Sequence, residues 1–301
     1  MQQSERLGAI LEQLSLDGSV NVVTIARSLG VSAATVRRDL QLLERQRLLE
    51  RTHGGAVPQG VLYELPLRYK TTRQPEQKRL IAQAAAAKVI DGWAIGLTGG
   101  TTTTQVARAL VDRPRLTVVT NALNIAAEIA VRPNLKLVVT GGVARPESYE
   151  LVGPLAEASL EGLNLDIVFL AVDGISPSTG LTTHHEIEAG TNRALIARSE
   201  QVVVVADSSK IGHVAFARIC ELSDIDELIT DDGADVEAVA AIREAGVEVT
   251  IVSAAETEPE PEAETAGPQA EAAQPEAEAA GGRGAENGRA EPPGAASGES
   301  A

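Results

Sequence analysis

The chain has 301 residues, 44% of them apolar and only 2% aromatic, with a formal net charge of −16. That length suggests about two folded domains with an aliphatic core. No apolar run reaches the ~18 residues a membrane helix needs. A single cysteine, Cys220, excludes an internal disulfide and a multi-cysteine metal site, and its apolar surroundings make it a small packing residue.

The polar start MQQSERLGAILEQL lacks the basic-then-apolar order of a signal peptide, so a cytoplasmic protein without a membrane partner is expected. Charge is unevenly spread. Residues 1–57 carry seven Arg and six acids, and residues 256–301 carry eleven Glu and two Arg. The acidic chain therefore keeps its least acidic segment at the front.

Residues 4–15 read as an amphipathic helix, with Leu7, Ile10, Leu11 and Leu14 on one stripe. Asp17-Gly18 ends it. A second helix is expected from about Val22 to Leu29, and Gly30 stands at its stop. Ser32 is a good N-cap for a third helix. This is the helix-turn-helix order. Val36, Leu40 and Leu43 face the core of the third helix, so Ala34, Arg38, Gln41 and Arg45 face outward with Arg37 on their flank.

In a helix-turn-helix that exposed start enters the major groove. Arginine grips guanine in a fork and glutamine suits adenine. Ser32 and Thr35 are placed to bond phosphates. In LLERTHGGAVP, Leu48–Arg51 and Ala56-Val57 read as strands around a Gly54-Gly55 turn. That is a wing, with Arg51 and His53 reaching DNA.

Residues 58–76 hold three prolines and no period, the pattern of an interdomain linker. From residue 77 short apolar strands alternate with helices. Strands are expected over 93–98, 116–120, 135–140, 165–172, 201–206, 226–230 and 247–252. Helices are expected over 77–90, 102–111, 122–131, 154–161, 186–198 and 235–245. This alternation predicts a doubly wound, mostly parallel α/β sheet. The predicted domains are 1–57, 77–253 and a disordered acidic tail over 254–301, whose Glu, Ala, Pro and Gly supply no core.

Ligands of such sheets bind outside the carboxyl ends of the strands. TGGTTTT places Gly99, Gly100, Thr101, Thr102 and Thr103 between a strand and a helix start, which is a phosphate cradle by chemistry. It is not a Walker loop, since no GKS or GKT follows. Asn121, Gly141 and Gly142 stand at two further strand ends. Asp173 is placed to bond sugar hydroxyls and Lys210 a phosphate, with Glu188 a weaker candidate. His184-His185 lacks a third ligand at suitable spacing, so no metal and no cofactor are expected.

VSAATVRRDLQLLERQRLLERTHGGAV resembles the signature of the DeoR family of bacterial transcriptional regulators. The resemblance implies a winged helix-turn-helix on double-stranded operator DNA, usually as a repressor, and a phosphorylated sugar as effector. It also implies a sensor domain similar to ribose-5-phosphate isomerase and glucosamine-6-phosphate deaminase. GGTTTT, TN, TGG, VDGI and DSSKIG match where family members hold a phosphosugar. Many members carry Asp where this chain has Thr98, so effector choice is expected to differ. Paired half-sites imply a homo-oligomer, dimer or tetramer. The alternative is a sugar-phosphate isomerase or deaminase carrying a DNA-binding head, with Asp173, Glu188 and Lys210 as its acid and base groups.

Overall fold

A computed structural model describes residues 1–58, 65–71 and 73–254. The acidic tail expected from 254 lies, from 255 onward, outside them.

The N-terminal region comprises α1 (Gln3–Asp17), β1 (Val20–Asn21), α2 (Val22–Ser28), α3 (Ala33–Arg45), β2 (Glu50–Thr52) and β3 (Gly55–Val57). The apolar stripes predicted from spacing form its core: Leu7, Ile10, Leu11 and Leu14 of α1 pack with Ile25, Val36, Leu40 and Leu43. Asn21 caps α2 and Ser32 caps α3 through their side-chain oxygens. The three strands form an antiparallel sheet in the order β1-β3-β2, which is the wing. The turn falls at His53-Gly54 rather than Gly54-Gly55. Gly55 is drawn into β3, where a Cβ would lie 1.9 Å from the Val20 carbonyl oxygen, so only glycine lets β1 and β3 approach.

One charged residue of this core escapes the sequence pattern. Asp39, on α3, is 1% exposed and accepts from Arg6 Nε at 2.5 Å and Arg6 Nη2 at 3.1 Å. The fork ties α1 to α3. Asp39→Ala leaves a guanidinium facing the core without its partner, and is expected to cost about 2–3 kcal/mol. Chemical denaturation of the full chain checks this, and a loss under about 0.5 kcal/mol contradicts it.

The segment read as a linker is packed where it is described. Leu65 and Tyr69 join the N-terminal core, and Leu67–Lys70 forms a one-turn helix, α4. Prolines spoil the period there, but three apolar side chains still find a surface.

The large region continues with α5 (Pro75–Ala87), β4 (Ala94–Leu97), α6 (Thr101–Ala109), β5 (Thr117–Thr120), α7 (Leu123–Ile129) and β6 (Lys136–Val139). A hairpin follows, β7 (Val143–Arg145) and β8 (Glu150–Val152), then α8 (Pro154–Leu160), β9 (Leu165–Leu170), β10 (Gly174–Ser176) and β11 (Gly180–Thr183). The last elements are α9 (Glu186–Ile196), β12 (Ser199–Val205), a 3-10 turn at Ser208–Lys210, β13 (Ala217–Cys220), β14 (Glu227–Asp231), α10 (Val236–Glu244) and β15 (Glu248–Val252).

Seven strands make one sheet, β15-β14-β12-β9-β4-β5-β6, and every neighbouring pair in it is parallel. Both faces are covered. Ile167 and Phe169 of β9 pack with α5, α6 and α7. Val168 and Leu170, one residue out of phase, pack with α8, α9 and α10. That is why these strands read as continuous apolar runs. Cys220 sits in the second of these cores, and burial pushes its thiol up to about 12.

The hairpin β7–β8 and a small sheet β10-β11-β13 were not predicted. Their strands are three or four residues long, too short to carry an alternation. The chain leaves the large sheet outward from β4 through β5 to β6, then returns to place β9 on the other side of β4. The switch point therefore lies between β4 and β9, with β12 next to β9.

Candidate functional site

Two surfaces carry chemistry. The first is the outer face of α3. Ala34, Arg37, Arg38, Gln41 and Arg45 are all exposed on it. Ser32 Oγ accepts from Thr35 N at 3.1 Å and lies 2.9 Å from Thr35 Oγ1. The serine hydroxyl is thus committed first to the helix cap. Arg51 on β2 is exposed and held by Glu44: its Nη1 lies 3.7 Å from Glu44 Oε2, and its N–H donates to Glu44 Oε1 at 3.4 Å. His53 is exposed at the wing turn. All nine residues expected to face DNA therefore lie on α3, its cap or the wing.

The second is a cleft at the switch point, over the carboxyl ends of β4, β9 and β12. Gly99, Gly100, Thr101, Thr102, Asp173 and Lys210 line it, as expected. Gly100 has φ 147°, and a Cβ there would lie 2.5 Å from Ala171 Cβ, so glycine is needed to turn β4 into α6. Thr101 and Thr102 begin α6, whose first-turn N–H groups have no intrahelical acceptor.

Four expected residues are not in the lining. Thr103 is fully buried and its hydroxyl turns back to Gly100 O at 3.1 Å. Asn121 is buried as well, and its Nδ2 donates to Glu150 Oε1 at 3.2 Å. Gly142 packs on the Val152 backbone, and Gly141 N donates to Ser159 Oγ at 3.2 Å. For Asn121 and the two glycines the physical reason is topological. Asn121 follows β5 and the glycines follow β6, both outward of β4 and away from the switch point. The Gly99 N–H is also already used, donating to Glu150 Oε1 at 2.9 Å. Thr98 is structural too: its Oγ1 accepts from Ala171 N at 3.0 Å, joining the ends of β4 and β9.

What sequence reasoning missed is the origin of the cleft's cations. Lys70 of α4, Arg73, and Lys78 of α5 join Lys210 in the lining. Three of the chain's five lysines meet here. Lys70 Nζ lies 3.0 Å and Lys210 Nζ 3.7 Å from the same atom, Asp173 Oδ1, which His184 Nε2 also approaches at 3.7 Å. Lys78 Nζ faces Asp207 Oδ2 at 3.6 Å and donates to the carbonyls of Lys70 and Arg73 at 3.2 and 2.6 Å. Only the low lysine content of the chain hinted that each lysine had a purpose.

Burial alone raises the Asp173 carboxyl, but Lys70, Lys210 and His184 outweigh it and hold it well below the ordinary carboxylate range. Burial lowers Lys210, with Asp173 partly restoring it. Burial lowers Lys78 to about 8, against the pull of Asp207. Glu188 moves the other way: burial, then the charges of Glu150 and Asp173, push it up. Its carboxyl is ion-paired with Arg145 and lies 2.5 Å from Thr183 Oγ1, which is 3.2 Å from Asp173 Oδ2. The cleft thus gathers the Lys70 and Lys210 ammonium groups on Asp173 and, through Thr183, joins Asp173 to the Glu188–Arg145 pair. Among the described residues no cluster of His, Cys, Asp or Glu could hold a metal ion.

The Lys78 value fixes a pH effect. Between about pH 8 and 10.5 the unfolded chain binds this proton and the folded one does not, so stability rises with pH there. Relative to Lys78→Met, the native chain is expected to gain roughly 2–3 kcal/mol across that window. Denaturation at pH 7.5 and 10 measures it, and a pH-independent difference contradicts it.

The fold and its two surfaces define a winged helix-turn-helix transcriptional regulator with an α/β sensor domain. Residues 6–59 match the DeoR-like helix-turn-helix domain, and residues 73–232 match the DeoR C terminal sensor domain. The chain belongs to the DeoR family. It is 34% identical over 252 residues to the putative aga operon transcriptional repressor of Escherichia coli O157:H7, covering 83% of this chain and 94% of that protein. It is 37% identical over 250 residues to the transcriptional regulator GlpR of Haloferax volcanii, covering 83% and 98%. The glycerol-3-phosphate regulon repressor of Escherichia coli K12 is 31% identical over 231 residues, covering 77% and 92%. Among solved structures, ribose 5-phosphate isomerase A of Methanocaldococcus jannaschii aligns with 45% of this chain and 54% of its own, at 21% identity and a TM-score of 0.33. Among the described residues no helix is long and apolar enough to cross a membrane.

Proposed function

We propose that the chain represses genes of carbohydrate metabolism and leaves its operator when a phosphorylated sugar occupies the switch-point cleft. The observation that carries this is the convergence of Lys70, Lys78 and Lys210 in the cleft that the first turn of α6 also lines. Ammonium groups beside a helix N-terminus suit a phosphate. Asp173, among those ammonium groups, and Glu150 and Glu188, which line the same cleft, suit the hydroxyls of that ligand. The relatives named as repressors of the aga operon and of the glycerol-3-phosphate regulon support the reading.

In this reading Arg37, Arg38 and Gln41 read base edges, with Ala34 against a thymine methyl. Ser32, Thr35, Arg45, Arg51 and His53 hold the backbone. The working unit is a dimer or tetramer, so that two wings reach paired half-sites. Residues 1–57 form the DNA-binding domain and 77–253 the sensor.

A thermal-shift screen against sugar phosphates and their unphosphorylated parents tests the ligand class. Binding to the folded state raises the melting temperature by mass action. One phosphosugar is expected to shift it and its parent sugar not. A parent sugar that shifts it equally removes the phosphate from the account.

One observation favours the enzyme alternative: Glu188, whose carboxyl burial pushes up, lines the same cleft as Asp173 and Lys210, the acid and base groups such an enzyme would use. Incubation with ribose 5-phosphate and glucosamine 6-phosphate separates the two. Binding without product is expected, and conversion of either favours the enzyme.

A further inference from the structure

We propose that Lys70 reads the anionic group of the ligand and that Tyr69, its neighbour on α4, passes the event to Gln46 at the end of the recognition helix. This rests on the ligand-responsive reading above and adds the physical link between its two halves.

The link is one short stretch of chain. Lys70 points into the cleft, 3.0 Å from Asp173 Oδ1. Tyr69 points the other way. Its ring is buried in the core of the N-terminal region, and its hydroxyl donates to Gln46 Oε1 at 2.6 Å. Arg68 Nη2 donates to the same oxygen at 3.3 Å. Gln46 is the C-cap of α3, the helix that carries Arg37, Arg38 and Gln41. A single residue step thus separates a cleft ammonium from the end of the DNA-reading helix. α4 also packs against α1, and Arg73 makes a second tie there, with its Nε 3.3 Å from Glu12 Oε1.

α4 has two anionic partners to choose between. Without ligand, Lys70 shares Asp173 Oδ1 with Lys210. A phosphate entering the cleft offers several strong acceptors to both ammonium groups, and charge-assisted bonds to phosphate compete with the carboxylate. Four residues in one helical turn move as a unit, so redirecting Lys70 rotates Tyr69 against Gln46. The turn hangs from ties at both of its ends, the Leu67 N–H donating to Glu147 O at 2.7 Å and the Lys78 ammonium donating to the Lys70 carbonyl at 3.2 Å, so it pivots about them and does not leave the cleft. The ligand shifts the equilibrium because it binds one placement of α4 better than the other.

Two arms test this. In the first, ribose 5-phosphate, glucosamine 6-phosphate and glycerol 3-phosphate are the probes, and the DNA is a duplex selected from a random pool by the native protein. Tyr69→Phe keeps the ring and loses the bond to Gln46. It is expected to keep the thermal shift of the native chain, while the probe-induced weakening of DNA binding shrinks by roughly fivefold or more. Weakening as large as in the native chain overturns the proposal. The second arm needs no ligand. Lys70→Gln releases α4 from Asp173, and amide exchange over residues 43–49 and 65–71 is expected to quicken by roughly fivefold or more. Unchanged exchange overturns the link. If no probe stabilises the native chain, the ligand reading has failed and the exchange arm alone decides the link.

Discussion

Arg37→Ala and Arg38→Ala are each expected to weaken binding to the selected duplex by roughly 5–150-fold, the range for losing a bidentate base contact. Both side chains are exposed, so the melting temperature should barely move. Salt dependence separates their roles. A residue on a phosphate lowers the slope of log affinity against log salt by about one, whereas a residue on a base edge relaxes specificity at one position. Fluorescence anisotropy at several salt concentrations reads both. Full binding by the double variant would leave the outward face of α3 as a solvated surface.

Lys210→Gln is expected to weaken phosphosugar binding by roughly 10–150-fold, the scale of a hydrogen bond to a charged group. The fold should survive, because Asp173 retains Lys70 at 3.0 Å when the more distant Lys210 is removed. DNA binding without ligand should be unchanged. Calorimetric titration of the stabilising sugar phosphate measures the loss. Equal affinity in the variant would place the phosphate elsewhere in the chain.

The contrast between those two sites says what a sequence can carry. The outward face of α3 was legible because it is local. Period, cap and turn within thirty residues fix which side of α3 is buried, and Val36, Leu40 and Leu43 left few choices. The parallel strands were legible too, since burial on both faces writes a continuous apolar run. The cleft was legible only at its strand ends, where Gly99, Gly100, Asp173 and Lys210 sit beside recognisable loops. Asn121, Gly141 and Gly142 sat beside equally good loops, but strand order decides which ends meet, and strand order is not a local property.

Lys70 and Lys78 show the same limit from the other side. They lie in or next to a stretch whose prolines and missing period spell a linker, and only tertiary packing brings them over β9 and β12. Asp39 was hidden for a smaller reason. It sits beside the apolar stripe of α3, and only the distant Arg6 makes its burial tolerable.

The measurement that bears most directly on the whole account is the affinity of the native chain for its selected duplex, with and without saturating stabilising sugar phosphate. A released repressor predicts weakening by roughly 5–150-fold, none with the parent sugar, and little of it in Lys210→Gln. Equal DNA affinity with the cleft filled and empty would contradict it, leaving a DNA-binding protein whose α/β domain does not govern its hold on the operator.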